Sequence, residues 1–241
     1  MEEAHKQAMQ SLVFSEGASL FGVADLTPIH HTFHTTIESI AKSLNFGVSI
    51  GFKLSDAIID GIIDQPTLIY KHHYKSINYR LDQIALKCVA FIQEKGFRAL
   101  PIPASQVVDW ENQLGHLSHK IVGREAGLGW FGRSTLLVNP QLGARVRYVT
   151  ILTDMPLKTD KPIKGDCEKC KACIVACPAK AISGEGYNKE KCLTKLKEFS
   201  KMPGIGQYIC GVCVKVCKGG GNKNAKGKTQ LDQRAAVCGR R

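Results

Sequence analysis

The sequence has no run that approaches the roughly 18 consecutive apolar residues of a membrane-spanning helix. Its first ten residues, MEEAHKQAMQ, have neither the apolar centre of a signal peptide nor a twin-arginine pair. The hydrophobic fraction of 44% with 22% charged residues is ordinary for a globular chain, which excludes wholesale disorder. These absences predict a soluble protein of the cytoplasm that has no membrane partner.

Aromatic residues are missing from the end of the chain, where much of the positive charge lies. The net charge is +12, and residues 218–241 contribute seven basic residues against one acidic residue. This Gly-, Lys- and Asn-rich stretch has almost no apolar periodicity, so residues 219–241 are predicted to be a basic disordered tail. Without aromatic residues for base stacking, a solubilising role is favoured over binding of nucleic acid.

The ten cysteines lack the spacing of a secreted disulfide framework, and eight of them lie between Cys167 and Cys217. In a reducing cytosol, dense cysteines are metal ligands before they are disulfides. The two others stand apart. Cys88 has the helical spacing of a core residue, and Cys238 is a free thiol in the tail.

The segment CEKCKACIVACP, residues 167–178, has the spacing of an iron–sulfur motif. Three cysteines spaced three apart bind one cluster, and the fourth points to a second cluster. Exchange of the fourth ligands between this motif and a later one gives two complete sites. The first site takes Cys167, Cys170, Cys173 and Cys217, and the second takes Cys177, Cys192, Cys210 and Cys213.

Two four-cysteine zinc sites are the alternative, because tetrahedral sulfur suits either metal. Zinc ribbons use two separated CxxC pairs and have no use for CxxCxxCxxxCP, so two 4Fe-4S clusters are favoured. Lysines between the ligands either raise the cluster potentials or form a solvated face. These are Lys169, Lys171, Lys180 and Lys215.

Alternating helical and strand-like patterns predict an α+β domain over residues 1–157, before a cysteine domain over residues 158–218. Ser55 is a plausible N-cap for a helix over DAIIDGIID, with Ile58, Ile59, Ile62 and Ile63 on one face. A long helix over residues 74–95 and strands over TLLVNP and RVRYVTILTD follow, with PQLG as the turn between the two strands.

The segment GREAGLGWFGRSTLLVNPQLGARVRYVTILTDMPL, directly before the cysteine motif, resembles the epoxyqueuosine reductase family, which is related to the reductive dehalogenases. The matching parts are Ala126–Gly132, Leu136–Val138, Gly143 and Leu152–Leu157. The resemblance covers about residues 70–217 and is specific from residue 123 onward.

The resemblance implies a nitroreductase-like domain that binds cobalamin, beside a ferredoxin-like domain with two clusters. The clusters would feed single electrons to a corrinoid above the glycine-rich turn. The implied cofactor contacts are Gly127, Gly129, Trp130, Gly132 and Arg133. Glycines allow backbone to approach a planar macrocycle closely. The alternative is a tight turn between strands with no ligand.

The family places a proton-donating aspartate before its AGLG segment, and Asp109 is the candidate here, about four residues further upstream. Such a donor needs a raised pKa and hence partial burial. The alternative is an exposed loop carboxylate. Tyr74, in a looser match to the family, is a further candidate acid.

The predicted function is that of a cytosolic iron–sulfur reductase that acts through cobalamin on a small or nucleoside-type substrate. Its electron donor is a low-potential protein such as ferredoxin or flavodoxin. tRNA is possible but not favoured, because the helical-repeat extension of many family members is absent from the sequence. The alternative is a ferredoxin-like electron carrier or reductive activator of a partner protein, without its own cobalamin.

Overall fold

The computed structural model of the chain describes residues 1–220; Cys238 and nearly all of the predicted tail lie outside them. Eight α-helices and a short 3-10 helix, Thr27–Thr32, alternate with six strands in this part of the chain. The helices are α1 (Glu2–Ser15), α2 (Thr35–Ala41), α3 (Asp56–Asp60), α4 (Leu68–Glu94), α5 (His119–Glu125), α6 (Ala172–Ala176), α7 (Lys189–Ser200) and α8 (Val212–Val216). The strands are β1 (Leu20–Asp25), β2 (Phe46–Lys53), β3 (Ala99–Ile102), β4 (Trp130–Phe131), β5 (Leu137–Val138) and β6 (Val146–Thr153).

Four of the strands form an antiparallel sheet in the order β1-β2-β6-β3. In its register, Val48 lies between Val23 and Ile151, so β-branched side chains pack across three strands. Pro101 lies in β3, an edge strand of the sheet, where its missing N–H donor is tolerated. The short strands β4 and β5 pair separately.

Alternate residues of a strand point to opposite sides of the sheet. Both faces of this sheet are buried by helices. One face packs in a core with α1 and α4 and includes Val48 and Ile151. The other face packs with α2 and α5 and includes Tyr148 and Leu152. The prediction of a mixed α and β chain is confirmed.

Cys88 is fully buried in the α4 core, as its helical spacing predicts. The predicted helix over DAIIDGIID is shorter than expected, because α3 ends at Asp60 with Gly61 as its C-cap. Beyond that end the helical spacing no longer holds. Ile62 is buried, whereas Ile63 is 81% exposed and does not share the apolar face that we predicted.

The segment after β6 runs back along β1, which positions the chain just before the first cysteine motif. Asp160 accepts hydrogen bonds from Lys6 Nζ at 2.6 Å and from the Val23 amide at 2.9 Å. Further on, a Cβ at Gly165 would lie 2.3 Å from the ring of Trp130, so this segment lies directly against the indole. Among residues 1–220, no helix has both the length and the apolar composition to cross a bilayer.

Candidate functional site

The first predicted cysteine set comes together in the structure. The thiol of Cys173 interacts electrostatically with those of Cys167, Cys170 and Cys217. Arg133 shapes the loop that carries these ligands, since it donates to the carbonyls of Glu168 at 2.8 Å and Cys170 at 3.2 Å. Cys170 itself is exposed, so this group lies near the surface.

The second set also comes together, and it is more deeply enclosed. The thiol of Cys213 interacts electrostatically with those of Cys210, Cys192 and Cys177. Burial raises the pKa of Cys213 to about 12 and that of Cys210 to about 11, and neighbouring cysteines add to the shift. A metal bound here would replace the protons that burial favours on these thiols.

Two one-turn helices produce the exchange of ligands between the motifs. Helices α6 and α8 pack against each other, and each ends one residue before a cysteine, Cys177 or Cys217. Each of these cysteines therefore lies with the other motif's group.

Within residues 1–220, no three His, Cys, Asp or Glu side chains are arranged to hold a single metal ion. A zinc tetrahedron would need sulfurs about 3.8 Å apart, given Zn–S bonds of about 2.3 Å.

The turn after β5 fixes the last ligand of the first set. Gly143 has φ +61°, and a Cβ there would lie only 2.1 Å from the carbonyl oxygen of Cys217. Backbone amides of Ala144 and Gly219 hydrogen-bond Cys217. The sequence predicts PQLG as a turn between strands, but gives no sign that this turn contacts Cys217.

The glycine-rich turn packs against the chain itself. A Cβ at Gly129 would lie 2.2 Å from the carbonyl oxygen of Val138, and one at Gly127 would lie 2.7 Å from that of Lys161. On the side where a Cβ would stand, the neighbouring chain therefore fills the space beside each of these two glycines. Such packing is expected of a tight turn, and the contact with cobalamin stays a prediction.

The other three predicted cofactor contacts lie beside the first cysteine set or the segment before it. A Cβ at Gly132 would lie 3.4 Å from the Cys167 sulfur, and Arg133 holds the adjoining loop. Trp130 is 5% exposed and lies against Gly165. The predicted corrinoid-binding turn is therefore also part of the surroundings of the first cysteine set.

Asp109 lies in the surface loop between β3 and α5 and lacks the properties predicted for it. The backbone amide and the side-chain amide of Asn112 both donate to its carboxylate at 2.8 Å. These bonds hold the pKa of Asp109 below its ordinary value. The expectation of a raised pKa is therefore wrong for this conformation of the loop.

A cleft with a volume of about 290 Å³ lies beside the second cysteine set, which forms part of its lining. Tyr70, Tyr74, Lys120 and Arg147 also line it. The sequence indicated only Tyr74 among these four. Two features of the sequence could have indicated Tyr70 and Arg147. Tyr70 and Tyr74 are one helical turn apart on α4, and Arg147 is a basic residue within the apolar strand β6.

Tyr74 is the best candidate for proton transfer in this cleft. Its ring lies under the guanidinium of Arg147, 4.3 Å from the ring centroid, and its hydroxyl is 3.2 Å from Ser105 Oγ. Burial raises the pKa of Tyr74, but Arg147 and hydrogen bonds to Ser105 and Asn78 outweigh burial, so the pKa lies below its ordinary value. A tyrosine with a lowered pKa gives up its proton more readily.

Tyr187 lines the cleft and donates a hydrogen bond to the Cys192 thiol. A hydrogen bond to a ligand sulfur stabilises the reduced, more negative cluster and so raises its potential.

We expect Tyr187→Phe to lower the potential of the second cluster by about 20–60 mV, the equivalent of about 0.5–1.5 kcal/mol for one electron. A redox titration followed by electron paramagnetic resonance (EPR) measures this shift. Tyr208→Phe, at a ring 36% exposed in the same cleft, is the control; equal shifts in both variants would contradict the assignment.

No protein-family model matches the chain. Epoxyqueuosine reductase of Staphylococcus aureus is 33% identical over 147 residues, which cover 57% of this chain and 36% of the relative. That of Listeria monocytogenes is 33% identical over 112 residues, which cover 43% of this chain and 30% of the relative. The chain thus spans about a third of the length of these relatives. The predicted resemblance is confirmed, and the chain is epoxyqueuosine reductase-like.

Solved structures share the fold. The catabolic reductive dehalogenase NpRdhA, in complex with 3-bromo-4-hydroxybenzoic acid, matches with a TM-score of 0.72 at 21% identity, over 98% of this chain and 36% of that one. Epoxyqueuosine reductase from Streptococcus thermophilus matches with a TM-score of 0.58 at 17% identity, over 88% and 65%. An epoxyqueuosine reductase with a tRNA stem loop matches with a TM-score of 0.60 at 18% identity, over 96% and 80%.

Proposed function

We propose that this chain is an oxidoreductase that passes single electrons through two 4Fe-4S clusters to a substrate in the cleft beside Tyr74. One observation carries the proposal: eight cysteines meet as two groups of four, and each motif lends its last cysteine to the other group. Such exchange is typical of proteins with two cubane clusters.

The positions of the two groups favour one direction of transfer. The first group is nearer to solvent, since Cys170 is exposed, which suits reduction by an external donor such as ferredoxin or flavodoxin. Cys173 of the first group also interacts with Cys213 of the second, so the groups adjoin. The second group borders the cleft. Electrons would therefore enter at the first cluster and leave from the second.

Cobalamin is proposed as the cofactor of the cleft, because apolar and aromatic walls next to the second cysteine group suit the face of a corrinoid. Leu136, Tyr70 and Ile209, which line the cleft, would hold it. When bound, it supplies a low-potential cobalt that reduces the substrate. Tyr74 would hold the proton that the reduced product takes up, and Arg147 would keep the Tyr74 ring in place.

The substrate proposed first is a small or nucleoside-type molecule. A tRNA is the second candidate, because one structure of this fold is an epoxyqueuosine reductase with a tRNA stem loop. Another epoxyqueuosine reductase has its catalytic aspartate loop swung out of the active site. Asp109 would need a comparable movement to act, and its loop lies beside the cleft, where Trp110 meets Tyr208 edge to face at 6.3 Å.

Titration of the anaerobically reconstituted protein with cob(II)alamin tests the cofactor assignment. We expect a spectral change that saturates at about one equivalent, and Leu136→Trp should abolish it by filling the cleft. Leu86→Trp, on a surface position that is 53% exposed, is the matched control and should bind normally. A protein that holds both clusters but gives no spectral change would contradict the cobalamin assignment. The alternative would then be preferred, that of an electron carrier or reductive activator without its own cobalamin.

A further inference from the structure

The cleft beside Tyr74 has an unbalanced charge. Lys120, Arg147 and Lys195 line it, and no carboxylate does so among residues 1–220. Lys195 forms an ion pair with Glu198. In the part of the chain that the structure describes, neither Lys120 nor Arg147 has a carboxylate partner.

Neutral acceptors hold both of these cations. Lys120 Nζ donates to the carbonyl oxygen of Thr135 at 3.0 Å. Arg147 donates from Nε to Asn78 Oδ1 at 2.9 Å and from Nη2 to the carbonyl oxygen of Ala104 at 3.1 Å. Charged side chains are rarely removed from water without an opposite charge. Both cations keep N–H donors beyond these bonds.

Balancing the charge of the second cluster does not explain Arg147. A Cβ at Gly211, next to Cys210, would lie 2.7 Å from the ring of Tyr70. The ring of Tyr70 meets that of Tyr74 edge to face with centroids 6.3 Å apart, and Arg147 lies beyond Tyr74. Two aromatic rings therefore stand between the cysteine loop and the guanidinium, which leaves its charge for a ligand of the cleft.

We propose that Lys120 and Arg147 bind the anionic group, a carboxylate or a phosphate, of a planar ligand that lies against the cleft tyrosines. This inference rests on the proposed function, because it names the substrate class of the same cleft. A guanidinium can bind either group through two parallel hydrogen bonds. The rings of Tyr70, Tyr74 and Tyr208 offer aromatic contact for the planar part of the ligand.

Calorimetry on the reconstituted full chain tests the inference with benzoate, phenyl phosphate and the neutral analogue benzamide. At least one anion should bind about 10- to 100-fold more tightly than benzamide, the range of a charge-assisted hydrogen bond. The stronger of the two anions identifies the group as carboxylate or phosphate. Lys120→Gln and Arg147→Gln should each remove most of this preference, which is measured in each variant as the ratio of its affinities for the anion and for benzamide. Lys120→Arg keeps the charge and should retain the preference, and Lys42→Gln, at an exposed position, is the control.

Three results would overturn the inference: equal affinity for anions and benzamide, no binding of any probe, or unchanged anion affinity in both charge-neutral variants. If Arg147→Gln fails to fold, Lys120→Gln decides the result alone. EPR-monitored potentials of the same variants separate the two roles, because cations that serve the cluster would change its potential and leave anion affinity unchanged. Iron content is measured on every sample. Missing clusters count against the proposed function, whereas full iron without anion preference counts against this inference only.

Discussion

Replacement of Cys217 by serine is expected to remove the first cluster and spare the second, although Cys217 belongs to the second motif in the sequence. Its thiol interacts electrostatically with those of Cys167 and Cys170. Iron should fall from about eight to about four per chain, since a cubane without one thiolate is lost or unstable. Electron transfer from an external donor should fall to background, because the cluster nearer to the surface is missing. Iron analysis and EPR spectra of the reduced protein measure both effects.

Cys177→Ser is the reciprocal variant and should spare the first cluster. Its EPR spectrum should match that of Cys213→Ser, while the spectrum of Cys217→Ser should match that of Cys167→Ser. Cys88→Ala, in the α4 core, is the control and should keep all of its iron. If Cys217→Ser instead resembles Cys213→Ser, the two motifs bind separate clusters and the exchange of ligands is wrong.

Gly143→Ala is expected to disrupt the first cluster without touching any of its ligands. Gly143 has φ +61°, which costs an alanine about 1–2 kcal/mol. Its new Cβ would also lie 2.1 Å from the Cys217 carbonyl oxygen, so the backbone of that ligand must move. We expect a loss of about 3 kcal/mol or more, a fall in Tm of about 6–12 °C, and iron near four per chain. Thermal unfolding and iron analysis give both readouts.

Gly96→Ala is the matched control for that variant. Gly96 also has positive φ, +82°, but a Cβ there meets nothing within 4 Å. It should lose only about 1–2 kcal/mol and keep both clusters. If Gly143→Ala loses no more stability than Gly96→Ala and keeps all its iron, the contact with Cys217 has no role in holding the cluster.

Local patterns were sufficient to predict the cysteine sets, because a spacing of two or three residues limits where each sulfur can point. The sheet strand β6 was also predictable, since its apolar run is long enough to identify. Cys88 followed from helical periodicity on α4. Within each cysteine motif and along α4, the neighbours that set the direction of each side chain lie within a few residues in the sequence.

Contacts between distant segments explain what the sequence did not predict. Lys161 occupies the space beside Gly127, and Val138 occupies the space beside Gly129. No local sequence pattern indicates either of these neighbours. The pKa of Asp109 depends on a turn that brings Asn112 onto its carboxylate. The wall of the cleft joins α4 to β6 through the Tyr74 ring and Arg147, residues 73 positions apart in the sequence.

Analysis of iron and acid-labile sulfide in the anaerobically reconstituted full chain is the most direct test of the two-cluster proposal. Two cubane clusters require about eight irons and about eight sulfides per chain, with absorbance at about 400 nm that bleaches on reduction. About four of each would mean that one cysteine group holds no cluster. Two zinc ions without sulfide would contradict the redox function entirely.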